Sequence, residues 1–248
     1  MDNPLHPFEL HNFAELSLFG WDISINKAVI LMWIVVALVA LMMIRAAAGR
    51  KMVPGKLQSL AELYVEFIRG IILDTMGQGG MRFFPLIGSL FLFILFCNLL
   101  GLIPGSYTVT SQIIVTAVFA LSVYVLSIIV GFAHHGMKFL GILVPPGTPV
   151  WLLPLMIPIE LVSQLARPVS LAVRLFANMT AGHVTLAVLF SLTISGGLLI
   201  GWVPFAATLF IGGLEVFIAF IQAYIFSVLT CVYLGDAMNL HGHEAHAH

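Results

Sequence analysis

Long stretches without a charged side chain constrain this fold more than any other feature of the sequence. Phe83 to Ile103 and Ile113 to Ala133 each run for about 21 residues without Asp, Glu, Lys or Arg. A helix needs about 20 apolar residues to cross a bilayer, and it satisfies its backbone hydrogen bonds internally. Over the whole chain 60% of residues are hydrophobic and 8% are charged, against about 25% charged in soluble domains. The chain is therefore predicted to be an all-α integral membrane protein.

The apolar segments predict about five membrane-crossing helices and one interfacial amphipathic helix. Residues 57–76 are assigned to the interface, because apolar residues recur there at helical spacing while Glu62, Glu66 and Arg69 share the opposite face. The last two helices are long, so we expect them to tilt and to form an antiparallel hairpin. We predict one membrane domain over 1–248, comprising an N-terminal segment (1–27), a first span (28–44), the interfacial helix (57–76), a transmembrane hairpin (83–133), the long hairpin (155–234) and a His-rich tail (235–248).

Positive charges predict the orientation. Arg45, Arg50, Lys51 and Lys56 follow the first span, whereas the first 26 residues contain neither Lys nor Arg. Cytoplasmic loops are enriched in Lys and Arg, so the N-terminus is expected outside and, after five crossings, the C-terminus in the cytoplasm. The same N-terminal composition is unlike that of a secretory signal.

Ionisable and amide side chains interrupt the long hairpin. Glu160, Arg167 and Arg174 are seven residues apart and share one helical face, with Gln164 and Asn178 close to it. Glu215 and Gln222 are also seven apart. Charges at membrane depth are costly, and they persist where they pair or line a water-filled path.

Folding the hairpin about residues 198–199, at its Gly-rich break, predicts which of these side chains face each other. Arg174 comes opposite Gln222, and His183 comes opposite Glu215. Arg is a permanent cation, whereas Glu and His can exchange protons. This arrangement suits protons that enter from one side and leave on the other, carried in between by a carboxylate on another protein.

Two motifs resemble the subunit a family of the F-type ATP synthases. They read Pro168-Val-Ser-Leu-Ala-Val-Arg-Leu-Phe-Ala-Asn-Met-Thr-Ala-Gly-His183 and Ile221-Gln-Ala-Tyr-Ile-Phe-Ser-Val-Leu-Thr-Cys-Val-Tyr-Leu234. The His-then-Glu order of His183 and Glu215 resembles mitochondrial and alphaproteobacterial members.

The resemblance implies a proton-translocating stator subunit beside a ring of c subunits in a bacterial inner membrane. Arg174 would separate two offset aqueous half-channels and attract the ring carboxylate, with Asn178 and Gln222 as polar neighbours. His183 and Glu215 would lie in the outer half-channel, and Glu160 in the cytoplasmic one. The implied partners are the c ring, b-type peripheral stalk subunits, the soluble catalytic head and lipid; no enzymatic activity, metal or cofactor is expected in the chain itself.

Structural interpretations remain open for several of these residues. Arg174 could be satisfied by helix carbonyls, and Arg167 could have a structural or lipid-headgroup role. Glu160 could be a packing carboxylate, and His183 and Glu215 could form a closed hydrogen-bonded pair. Asn178 and Gln222 could simply join helices. Asp236 follows the predicted last span and is expected to be solvated.

Two other classes of membrane protein are alternatives to this interpretation. An autonomous proton-coupled transporter usually has an internal repeat, which the two halves do not show. A haem-bearing membrane anchor needs His ligands in facing spans, and only His183 lies in a predicted span. The net charge of -1 argues against nucleic acid as a partner. The tail histidines, His241, His243, His246 and His248, are expected to be disordered, and no phosphate-binding loop is present.

Overall fold

The computed structural model describes residues 12–14, 17–18, 21–22, 25–48, 55–103, 109, 112–143, 150–197 and 201–238. Most of the acidic N-terminal segment, the basic residues Arg50 and Lys51, and the four tail histidines lie outside the described residues. Two short antiparallel pairs of strands precede the first helix: Asn12–Ala14 with Ile25–Asn26, and Ser17–Leu18 with Trp21–Asp22.

The rest of the described chain is helical. The helices are α1 (Lys27–Ala48), α2 (Lys56–Met76), α3 (Phe84–Gly101), α4 (Ile113–His135), α5 (Leu153–Ser195) and α6 (Trp202–Met238). Short 3-10 segments occupy Gln78–Phe83, Gly136–Leu143 and Val150–Leu152.

Five helices in the described residues are long and apolar enough to cross a membrane. They are α1, α3 with its preceding 3-10 turn, α4 with the segment after it, α5 and α6. The helix α2 is not among them, and it buries one face through Ile68, Ile71, Ile72 and Met76. The predicted all-α membrane fold is confirmed.

The helices α5 and α6 are much longer than a bilayer requires. They contain 43 and 37 residues, which is about 64 and 55 Å at 1.5 Å per residue. A hydrocarbon core is about 30 Å thick, so each helix must tilt within the membrane or extend beyond its apolar core. The helix α5 continues through Pro158 and Pro168, each of which removes one backbone hydrogen bond.

The chain divides into two compact units. The first unit comprises Met1–Glu62, Leu90–Gln112 and Leu175–Tyr224, and the second comprises Leu63–Ser89, Ile113–Arg174 and Ile225–His248. Each contains part of α3, α5 and α6.

In the first unit, glycines make the turn that joins α5 to α6. Gly197 has a φ of 57°, a left-handed conformation that favours glycine after a helix end. The backbone N–H of Gly201 donates to the carbonyl of Gly197 at 3.0 Å. A Cβ atom on Gly201 would lie 2.5 Å from the carbonyl oxygen of Thr193. The Gly-rich break therefore reverses the chain where the hairpin was predicted.

In the second unit, hydrogen bonds join the ends of α4 and α6 to the turn before α3. Arg82 Nη2 lies 2.8 Å from His134 Nε2 and donates to the sulfur of Met238 at 2.7 Å. His135 Nε2 lies 2.9 Å from the carbonyl oxygen of Met238. Because His135 can donate to that carbonyl, it helps to satisfy the last turn of α6.

Candidate functional site

A cavity of about 210 Å³ lies in the first unit between α5 and α6. Asn178, Gly182 and Thr185 of α5 line it, as does Glu215 of α6. The remaining lining residues are apolar, and they include Leu102 after α3. The cavity is large enough for several water molecules and has polar groups in its wall, which is what buried water requires.

Glu215 is the buried ionisable group of this cavity. The residue is 6% exposed, and neither carboxylate oxygen has a hydrogen-bond partner among the described residues. A buried carboxylate without hydrogen-bond partners is costly, and the cavity beside Glu215 has room for water that would solvate it.

Gly182 explains how Glu215 fits against α5. A Cβ atom at Gly182 would overlap Glu215 Oε1 and would lie 2.8 Å from Glu215 Cδ. The missing side chain thus creates the space that the carboxylate occupies. Counted along the sequence, residues 182 and 215 lie equally far from the 198–199 turn. This is the register expected for a hairpin that folds about that turn.

His183 follows Gly182 directly and is half-buried on α5. His183 does not line the Glu215 cavity. The α5 wall of that cavity is formed by nearby residues, including Gly182 and Thr185. The predicted meeting of His183 with Glu215 therefore stays a prediction.

Gln222 and Asn98 add further buried polar atoms to the first unit. Gln222 is 5% exposed, and its Oε1 has no hydrogen-bond partner among the described residues. Asn98 of α3 is fully buried, and its Nδ2 donates to the carbonyl oxygen of Ala219 at 3.4 Å, one turn after Glu215. The rings of Phe91 and Phe220 pack edge to face at 5.8 Å, so α3 contacts α6 at this level.

Asn98 was missed by the sequence analysis. The signal was a single carboxamide within the uncharged run 83–103. An amide inside a membrane span usually finds a partner on another helix, and this one does.

The second unit contains the other predicted site residues. Gln164 Nε2 donates to Glu160 Oε1 at 2.9 Å, one turn apart on α5. Arg174 is exposed and lies one helical turn before Asn178. Arg167 Nη1 lies 3.8 Å from Asp236 Oδ2, and Asp236 belongs to α6 because that helix continues to Met238.

Among the described residues, no group of three or more His, Cys, Asp or Glu side chains could hold a metal ion. The two cysteines, Cys97 and Cys231, are both free and buried. The fold and site therefore define a multi-pass helical membrane protein with ionisable and polar side chains inside its last two helices.

Comparison with known proteins identifies the family. Residues 29–235 match the model of the ATP synthase A chain family. The ATP synthase subunit a of Magnetococcus marinus is 50% identical over 246 residues, covering 96% of this chain and 94% of the relative. The ATP synthase subunit a of Rhodospirillum rubrum is 45% identical over 241 residues, covering 97% and 100%. The chain belongs to the ATP synthase A chain family, which confirms the resemblance seen in the motifs.

Proposed function

We propose that this chain is the proton-translocating a subunit of an ATP synthase membrane sector. The observation that carries the proposal is the Glu215 carboxylate, which is buried without a hydrogen-bond partner among the described residues and lies in the wall of a cavity large enough for water. Membership of the family supports it. Membership of this family also argues against the two alternatives, an autonomous transporter and a haem-bearing membrane anchor.

Proton entry is assigned to Glu215, with His183 in the same outer half-channel. Water in the cavity delivers a proton to the carboxylate, and the proton passes from there to a carboxylate on the neighbouring ring. Asn178 shares the cavity wall, and both Asn178 and Gln222 carry amides that can orient water near the transfer point.

Separation of the two paths is assigned to Arg174. A guanidinium stays charged, so it attracts a deprotonated ring carboxylate and does not relay protons itself. A protonated carboxyl is neutral and has no such attraction, so it can move away into lipid. The ring then turns until that carboxyl reaches the second half-channel, where Glu160 accepts its proton toward the cytoplasm.

The chain performs no bond chemistry in this mechanism. Its proposed partners are the ring of c subunits, the b-type peripheral stalk subunits, membrane lipid and, through the complex, the soluble catalytic head. The proposed location is a bacterial inner membrane, with the N-terminus outside and the C-terminus in the cytoplasm.

Replacing Arg174 with Ala tests the proposal. In inverted vesicles that carry the complete complex, ATP-driven acidification measured with a pH-sensitive dye should fall at least a hundredfold (about 3 kcal/mol). Hydrolysis by the detached head should be unchanged. Arg45→Ala is the matched control, because Arg45 is an exposed cation at the end of α1. Normal pumping by the Arg174 variant would overturn the mechanism.

A further inference from the structure

The cavity between α5 and α6 contains a hydroxyl that the proposed function leaves unassigned. Among the described residues that line this cavity, those with polar side chains are Asn178, Thr185 and Glu215. The rest of the α6 wall is apolar and consists of Ile211, Leu214 and Ile218. Water in the cavity therefore finds its side-chain partners among the three polar residues. A buried water makes about three hydrogen bonds, so each of these partners matters.

Thr185 lies beside the Glu215 carboxylate along α5. The carboxylate occupies the space left at Gly182, and Thr185 follows Gly182 by three residues. Residues three apart are neighbours on a helix surface, with Cβ atoms about 5–6 Å apart. A water that bonds to two oxygen atoms joins atoms about 5.5 Å apart, because each O–H···O bond spans about 2.8 Å. The spacing therefore suits one water between the hydroxyl and the carboxylate.

The hydrogen of the Thr185 hydroxyl is already bonded within α5. Thr185 Oγ1 donates to the carbonyl oxygen of Ala181 at 2.8 Å. The lone pairs of Oγ1 remain, so the hydroxyl acts as an acceptor toward the cavity. An ionised carboxylate is also an acceptor, and the oxygens of Glu215 have no hydrogen-bond partner among the described residues. A water between the two groups thus donates one hydrogen to each.

This orientation leaves the water oxygen open to accept the next proton. Thr185 is exposed, whereas Glu215 is 6% exposed. Thr185 is also nearer than Gly182 to the Gly-rich turn, which the proposed orientation places outside. A proton from that side bonds to the water oxygen, the O–H bond toward Glu215 breaks, and that hydrogen becomes the carboxyl proton. The water is regenerated, so atoms and charges balance.

We propose that Thr185 is a positioning residue for proton entry, and that its hydroxyl oxygen holds the water that passes a proton to Glu215. The inference rests on the proposed function. Thr185 does not carry the proton, because its own hydrogen stays on the Ala181 carbonyl. Without the hydroxyl the water is held at one side only, so it is less often in line for transfer. Proton entry then slows most when protons are scarce.

Proton-driven ATP synthesis tests this inference in the complete complex. The complex is placed in liposomes with its catalytic head facing outward, so that the lumen supplies the outer half-channel. Synthesis is measured with luciferase over a graded series of lumen pH values, at constant external pH and membrane potential. In Thr185→Val, which keeps the shape and removes the hydroxyl, the proton concentration for half-maximal synthesis should rise roughly fivefold, as expected for one lost hydrogen bond. The maximal rate and the dependence on external pH should stay close to those of the wild type.

Two further variants separate this role from a loss of helix stability. Thr185→Ser keeps a hydroxyl and should restore the wild-type curve. Thr208→Val is the matched control, because Thr208 Oγ1 makes the same kind of bond, to the carbonyl oxygen of Pro204 at 2.8 Å, and does not line the cavity. An unshifted curve in Thr185→Val would overturn the inference, as would an equal shift in Thr208→Val or no recovery in Thr185→Ser. These outcomes leave the proposed function intact, which fails only if Arg174→Ala pumps normally.

Discussion

At the scale of single residues, the position of Glu215 depends on Gly182. The carboxylate lies where the side chain of any other residue at position 182 would be. Because the overlapping atoms belong to the end of a flexible side chain, a methyl group at 182 would displace the carboxylate and leave the helices in place. Gly182 is therefore a positioning residue for the proposed proton donor.

Gly182→Ala should reduce ATP-driven pumping by roughly tenfold to a hundredfold, because the displaced carboxylate no longer aligns with the transfer path. The amount of assembled complex in the membrane should stay close to that of the wild type. Pumping is measured in inverted vesicles and assembly by quantifying this subunit after purification. Gly213→Ala is the control, because a Cβ atom at 213 meets nothing within 4 Å. Equal pumping by the two variants would contradict the role of Gly182.

At the scale of elements, the α5–α6 turn sets the register of the hairpin. Gly196, Gly197 and Gly201 bring the two helix ends together, and a Cβ atom on Gly201 would meet backbone oxygens of Thr193 and Gly197 at 2.5 and 2.6 Å. Backbone atoms cannot yield as a side chain can. Any side chain at 201 must therefore move one helix relative to the other.

Gly201→Ala should destabilise the hairpin by about 1–3 kcal/mol, the usual range for overpacking. At Gly212 of α6 a Cβ atom would meet nothing within 4 Å. Gly212→Ala should therefore be neutral or stabilise the hairpin by up to about 1 kcal/mol, because Ala has a higher helix propensity than Gly. The temperature at which the purified complex loses this subunit reports the difference. A Gly201 variant as heat-resistant as the Gly212 variant would show that the turn tolerates a side chain.

At the scale of the whole molecule, the described chain has five helices that can cross a membrane. An odd number of crossings places the two termini on opposite sides of the membrane. The basic residues after the first span favour a cytoplasmic location for the C-terminal end of that span. Gly55, before α2, and Ile103, after α3, are both exposed. The proposed orientation puts Gly55 inside and Ile103 outside.

Cysteine labelling of intact cells tests this orientation. A membrane-impermeant maleimide should label Ile103→Cys directly and Gly55→Cys only after the membrane is opened. Cys97 and Cys231 are 0% exposed, so background labelling in the native chain should be small. Labelling of Gly55→Cys in intact cells, without labelling of Ile103→Cys, would reverse the assignment.

The sequence determined the membrane class, the five helices that can cross, the amphipathic character of α2 and the hairpin turn, because each depends on local properties. Run length decides whether a segment crosses, helical periodicity decides which residues share a face, and glycines permit the turn. The motifs around Arg174 and Gln222 were also sufficient to indicate the family.

Tertiary structure alone decided which faces meet and which side chains are buried. In an apolar helix, the surface that faces lipid and the surface that faces protein have similar compositions, so hydropathy does not separate them. The bond from Asn98 to Ala219, the space that Gly182 leaves for Glu215, and the pairing of Arg167 with Asp236 therefore became visible only with the packed helices. Each joins residues far apart in the chain, and no local pattern specifies such a contact.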